Sequence, residues 1–125
     1  MEREINIIIE KAKKDKQVIA VALFGSYSRN EQKKNSDVDI CIFLNKKYSN
    51  LEMSTKRLNF LKEVSNKFDI QIFQQLPVYI RIRILKEHKI LFVKNEDLLY
   101  ELAFDAIKEF NNYKKLYTLY MEKYE

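Results

Sequence analysis

The sequence predicts a single α/β domain of the α+β type, a small mixed β-sheet flanked by helices. Three observations carry this. Four short apolar runs, Val18–Phe24, Val38–Leu44, Phe68–Phe73 and Ile90–Val93, have the length and β-branched content of strands. The segments between them either place apolar residues three and four apart or are short and polar. No repeat and no Pro- or Ser-rich linker divides the 125 residues, so the domain is expected to span 1–125.

Taken in order, residues 4–16 set Ile5, Ile8, Ile9 and Ala12 at helical spacing, followed by lysines, which predicts a short amphipathic helix. Val18–Phe24 (VIAVALF) is apolar at every position, the mark of a central strand covered on both faces. Ser26–Lys34 is polar and fits a short helix, and Val38–Leu44 (VDICIFL) reads as a second strand. After a polar loop at Asn45–Asn50, Leu51–Lys67 carries Leu58, Leu61 and Val64 toward Phe68 as a one-sided helical stripe. Phe68–Phe73 (FDIQIF) alternates strictly, as a third strand does. Pro77, the sole proline, suits the first position of a helix, where its missing N–H costs nothing. Val78–Glu87 then presents Val78, Ile82 and Leu85, and Ile90–Val93 is a fourth strand. From Glu96 to about Glu122 one long helix is expected, with Leu98, Leu99, Leu102, Ala106, Phe110, Tyr113, Tyr117 and Tyr120 three or four apart.

Composition narrows the function classes. Apolar residues make up 46% and charged residues 33%, which suits an ordered chain rather than a disordered one. The net charge of +5 is compatible with a nucleotide substrate, a nucleic acid or an acidic partner, and selects none of them. The lone Cys41 rules out an intrachain disulfide framework and reads as a small buried hydrophobe. The N-terminal MEREINIIIEKAKK is too charged for a signal peptide, and the longest apolar run cannot span a bilayer, so no membrane association and a cytoplasmic location are expected.

The chemistry-bearing residues cluster in FGSYSRNEQKKNSDVDI. Gly25, the only glycine, directly follows a buried strand and precedes Ser26. A glycine there allows a sharp turn and close approach of a ligand to main-chain N–H groups, and a following helix would aim its N-terminal amides at an anion. Alone, Gly-Ser after a strand is an ordinary turn. Asp37 and Asp39 alter that reading, because residues two apart in a strand project to one face. Two carboxylates so placed repel unless a cation neutralises them, and Mg²⁺ commonly takes one or two carboxylates together with substrate phosphates. Asp69 lies in a strand, where Asp is disfavoured. If that strand neighbours Val38–Leu44, Asp69 joins the pair around a two-metal centre.

This combination resembles the polymerase β-like nucleotidyltransferase superfamily, and within it the minimal nucleotidyltransferases, or MNT domains, with the signature G-S-x₁₀-D-x-D. Gly25-Ser26, ten intervening residues and Asp37-Val38-Asp39 meet that spacing, Arg29 and Ser36 match positions often found with it, and the resemblance covers roughly residues 15–95. It implies that Gly25, Ser26, Arg29 and Ser36 bind the nucleotide, ATP, and that Asp37, Asp39 and Asp69 hold two Mg²⁺ ions and carry catalysis. Many MNT chains are antitoxins of HEPN-domain toxins, some by transferring AMP to a tyrosine, so a HEPN partner is the expected acceptor. The absence of an appended substrate domain favours that acceptor over a nucleic-acid end or a small molecule such as an aminoglycoside. A non-catalytic module that masks the toxin is the remaining alternative. The aromatic stripe beyond Phe110 is expected to be an interface, with a partner or as a homo-oligomer. Arg83 to His88 spells R-x₄-H, a HEPN ribonuclease motif, but in a chain that is not all-helical; His88 reads instead as a favourable charge at a helix C-terminus.

Overall fold

The computed structural model describes residues 2–25 and 37–124. The elements are α1 (Glu2–Lys14), β1 (Val18–Phe24), β2 (Val38–Leu44), α2 (Asn50–Leu61), β3 (Phe68–Ile72), a 3₁₀ turn (Phe73–Gln75), α3 (Val78–Glu87), β4 (Lys89–Val93) and α4 (Glu96–Tyr124). The strands form one sheet in the order β3-β2-β1-β4. β1 runs antiparallel to β2 and β4, whereas β2 and β3 are parallel, with α2 making the crossover such a pair requires.

Helices cover both faces of this sheet. On one, Ile8 and Ala12 of α1 and Met53 and Phe60 of α2 pack against Val21, Leu23, Ile40, Ile42, Ile70 and Ile72. On the other, Ile82 and Ile84 of α3 and Leu99 and Ala106 of α4 pack against Ala20, Ala22, Cys41, Phe43 and Phe73. Double coverage explains why β1 and β2 are nearly continuous apolar runs rather than alternating ones. A register shift between Val18 and Ala20 interrupts the alternation, so Val18 belongs to the first cluster and both Ile19 and Ala20 to the second.

Three expectations are corrected. The helix expected over Leu51–Lys67 ends at Leu61, and of its expected stripe Leu58 is 60% exposed while Leu61 and Val64 are partly buried against the core; Met53 and Phe60 are the buried helix residues. Three-residue backbone bonds from Glu63 to Phe60 and from Val64 to Leu61 tighten the exit, and Ser65 N–H donates to Glu4 at 2.7 Å, which lets the chain straighten into β3. The third strand ends at Ile72, because Phe73 opens the 3₁₀ turn that stacks its ring on Phe43 at 4.6 Å. Pro77 is the N-cap of α3 rather than its first residue, and its carbonyl accepts from Ile80 and Arg81. The α3 residues most deeply buried are Ile82 and Ile84.

Local signals account for the ends of the helices. Ser49 accepts from Glu52 N–H at the start of α2, and Asn95 Oδ1 accepts from Leu98 N–H at the start of α4. His88 closes α3: its Nδ1 lies 2.9 Å from the Ile84 carbonyl and 3.0 Å from that of Leu85. That is the structural role expected for this histidine. The first half of α4 packs through Leu99 and Ala106, with Leu98, Leu102 and Phe110 partly buried, while residues 111–123 are exposed. No helix among the described residues is long and apolar enough to cross a membrane.

Phe43 is fully buried and stacked on Phe73, so Phe43→Ala is expected to cost about 3–5 kcal/mol in urea unfolding. An effect below about 1 kcal/mol would contradict the packing described for this face.

Candidate active site

Antiparallel pairing of β1 with β2 brings the end of β1 to the start of β2, and parallel pairing sets the start of β3 beside them. Phe24 pairs with Asp39, and Asp39 with Asp69. Alternation does the rest: Val38, Ile40 and Ile42 face α1 and α2, and Phe68, Ile70 and Ile72 do the same. Asp37, Asp39, Asp69 and Gln71 therefore belong to the face shared with α3 and α4.

Gly25 adopts φ +72°, the left-handed conformation that ordinary side chains avoid. A Cβ at this position would also collide with the Asp39 carboxylate at Oδ2. The sole glycine thus meets two demands at once, a sharp exit from β1 and room for an acidic side chain against the backbone.

Asp39 senses its acidic neighbours. Asp39 is raised from its ordinary 3.8 to about 6, first by partial burial and then by the negative charges of Asp69 and Asp37. Asp69 is engaged by neighbours: Gln71 Nε2 donates to both of its oxygens at 3.1 and 3.2 Å, and Arg57 lies 3.5 Å from Oδ1. Among the described residues no three acidic, His or Cys side chains already converge as an ion cage. The donor set nevertheless fits a hard divalent cation: three carboxylates from two neighbouring strands, with charge repulsion at Asp39 that a cation would relieve.

A cavity of about 370 Å³ opens on this corner, lined by Phe24, Gly25 and Asp39 from the sheet and by Ile80, Arg83, Ile84 and Glu87 from α3. A wider groove of about 860 Å³ along α1 and Glu63 is open to solvent and touches none of the three aspartates. Concavity next to clustered titratable groups favours the smaller cavity as the ligand site.

Of the site residues expected from the sequence, Gly25 lies against Asp39, Asp39 pairs with Asp69, and the charge of Asp37 acts on Asp39. Ser26, Arg29 and Ser36, with the short helix expected over Ser26–Lys34, lie outside the described residues. Arg57, Gln71 and the α3 wall were not singled out from sequence for this site. Gln71 carries a readable signal, two residues beyond Asp69 on the same strand face. Arg57 carries none, since it reaches the site from the helix on the opposite face.

Strand–glycine–carboxylate geometry of this kind defines a nucleotidyltransferase fold. The chain belongs to the Polymerase beta, Nucleotidyltransferase family, which matches residues 6–97. It is 41% identical over 76 residues to a Methanocaldococcus jannaschii protein named as a candidate protein adenylyltransferase, across 61% of this chain and 57% of that relative's length. A second such protein of that organism is 30% identical over 66 residues, 53% of this chain and 71% of the relative. In fold, the chain is similar to a chain of a toxin–antitoxin crystal structure with AMP-PNP (TM-score 0.73, 17% identity, 98% of this chain and 96% of that one). It is also similar to a chain of the complex of a tri-AMPylated Shewanella oneidensis HEPN toxin with an MNT antitoxin (TM-score 0.67, 14% identity, 98% and 93%). A Sulfolobus solfataricus protein named as a candidate nucleotidyltransferase has TM-score 0.54 at 14% identity over 75% of this chain and 81% of that one. At these identities the structural likeness is one of fold.

Two outcomes are expected. Gly25→Ala should cost at least the ~1–2 kcal/mol of placing a side chain in the left-handed region, and a Gly25→Ala/Asp39→Ala pair should recover only the collision component in urea unfolding. Asp39, with its folded pKa above the unfolded one, keeps a proton in the fold that the unfolded chain has released. Its contribution to stability is therefore lost as pH rises from about 4 to 6. Asp39→Asn should melt about 2–4 °C above wild type at pH 7.5 and show no such advantage at pH 4; equal melting at both values would refute the assignment.

Proposed function

We propose that this chain is a Mg²⁺-dependent adenylyltransferase that transfers AMP from ATP to a tyrosine hydroxyl of a HEPN-domain toxin, and so acts in the cytoplasm as its antitoxin. The observation that carries this reading is the pairing of Asp39 with Asp69 beside the left-handed Gly25, with Asp37 near enough for its charge to act on Asp39. Family membership supplies the reaction class. The adenylyltransferase names of the relatives and the HEPN–MNT complexes among the fold neighbours support the acceptor.

Each residue then has a task. Gly25 and Ser26 receive the triphosphate against the main chain, with Arg29 and Ser36 as further nucleotide contacts. Asp37, Asp39 and Asp69 would hold the metal. When bound, Mg²⁺ supplies neutralisation of the negative charge that gathers on the phosphate oxygens. Phe24, Ile80 and Ile84 give the nucleoside an apolar wall in the cavity beside Asp39. The acceptor oxygen bonds to the α-phosphorus, the bond from that phosphorus to the bridging oxygen breaks, and pyrophosphate leaves. Asp69 takes the proton of the attacking hydroxyl. Alignment and charge placement carry most of such a step.

The exposed second half of α4 suits the partner. Leu116 is 68% exposed and Tyr117 55%, on a 29-residue helix that extends roughly 43 Å at 1.5 Å per residue. Aromatic side chains are favoured in interface cores.

Incubation with ATP, Mg²⁺ and a HEPN-domain partner protein should add one or more AMP units to that protein by intact-mass spectrometry, on tyrosine. The Asp37→Asn/Asp39→Asn variant should add none. If wild type binds ATP yet leaves the partner's mass unchanged, transfer is refuted; if the double variant still neutralises the toxin, masking by contact is the mechanism.

A further inference from the structure

Asp69 is gripped by two side chains to which the transfer chemistry assigns no task. Gln71 lies on the same face of β3, and its Nε2 reaches both carboxylate oxygens, at 3.1 and 3.2 Å. Arg57 comes from α2, on the far side of the sheet. Its Nε donates to the Ile70 carbonyl at 2.5 Å, and its terminal nitrogen lies 3.5 Å from Asp69 Oδ1. β3 is the outer strand, so Arg57 also occupies a carbonyl on a strand that has a neighbour on one side only. Tied to the main chain by one arm of a planar fork, the guanidinium is a positive charge of fixed position. Both partners are partly exposed, the side chains of Arg57 and Asp69 at 33% and 40%, so ligand and solvent can reach the pair.

We propose that Gln71 and Arg57 are positioning residues for Asp69 with opposite effects on cation binding: Gln71 orients the carboxylate, and Arg57 offsets its charge. The inference rests on Asp37, Asp39 and Asp69 being a divalent-cation site. Gln71 is uncharged, so its removal only frees the Asp69 side chain to rotate, and a ligand that must be ordered on binding binds less tightly. Hydrogen-bond partners of metal-binding carboxylates act in this way. Removing Arg57 instead leaves the acidic cluster one unit more negative, which strengthens its pull on a divalent ion. In both cases Asp69 is misplaced for the reaction, so turnover falls whichever way affinity moves.

The test uses the full chain and Mn²⁺ as the probe, with binding followed by electron paramagnetic resonance without nucleotide and folding confirmed by thermal melting. Gln71→Met is expected to weaken Mn²⁺ binding by about tenfold or more, and Gln71→Asn, whose shorter amide falls short of Asp69, to do the same. Arg57→Met is expected to tighten binding about threefold or more, with Arg57→Lys close to wild type. In an Asp69→Asn background the Gln71 effect should vanish, because its object is gone. Shifts of the same sign in the Gln71 and Arg57 variants, or a Gln71 effect that survives Asp69→Asn, would overturn the proposal. A folded wild type that binds no Mn²⁺ would overturn the cation site itself, and this inference with it.

Discussion

A four-stranded sheet covered on both faces has almost no place for a charge, and that constraint fixes where chemistry can occur in this chain. Along β2 the interior positions Ile40, Cys41, Ile42 and Phe43 are wholly buried, so acidic side chains are tolerated only at the strand's first turn of pleat. The antiparallel β1–β2 pair and the parallel β2–β3 pair then bring the end of one strand and the beginnings of two others to a single edge. Asp39 and Cys41 show how abrupt the boundary is. One pleat apart on the same face, the first is a half-buried acid open to a cavity, and the second is a thiol whose ionisation burial pushes far up, which makes it packing material.

The price of that edge is electrostatic. Burial and the charges of Asp69 and Asp37 raise the proton affinity of Asp39, while Arg57 and Gln71 engage Asp69. Such an arrangement weakens the folded state, as functional sites commonly do. Gly25 belongs to the same economy of space. Its missing side chain lets the β1 backbone pass against Asp39, so the turn and the acid are fitted to each other.

Much of this was legible in residues that break a local rule. A single glycine after an apolar strand, a D-x-D at a strand's opening and an aspartate inside an alternating strand each stand out against their surroundings. Strands β1 and β2 were readable because burial on both faces leaves a short, continuous apolar run, enriched in β-branched residues and of strand length. What the sequence could not convey was non-local. The register that sets Asp39 opposite Asp69 is decided by core packing of Ile40, Ile42, Ile70 and Ile72, and no spacing rule encodes it. The Leu58 stripe misled because helical periodicity ran on into a segment that tertiary contacts had claimed for a turn: Glu4 and Phe60 hold residues 63–65 out of the helix. Arg57 was hidden for a related reason. In its helix it is an ordinary basic residue, and only the β3 edge gives it partners, the Ile70 carbonyl and Asp69.

The long helix α4 shows where burial stops explaining the sequence. Leu99 and Ala106 face the sheet, and their burial accounts for the helix as far as Phe110. Past that point residues 111–123 are exposed, and nothing in the described domain covers them, yet apolar and aromatic residues continue at helical spacing. Tyr113 and Tyr117 stack one turn apart with ring centroids 6.4 Å from each other, which rigidifies a ridge rather than filling a core. A helix segment of this length without packing is marginal in water, and a solvated extension would gain nothing from tyrosine and leucine that lysine and glutamate do not supply. The pattern is accounted for if the two halves answer to different surfaces, the first to this chain's own sheet and the second to a surface outside the described domain.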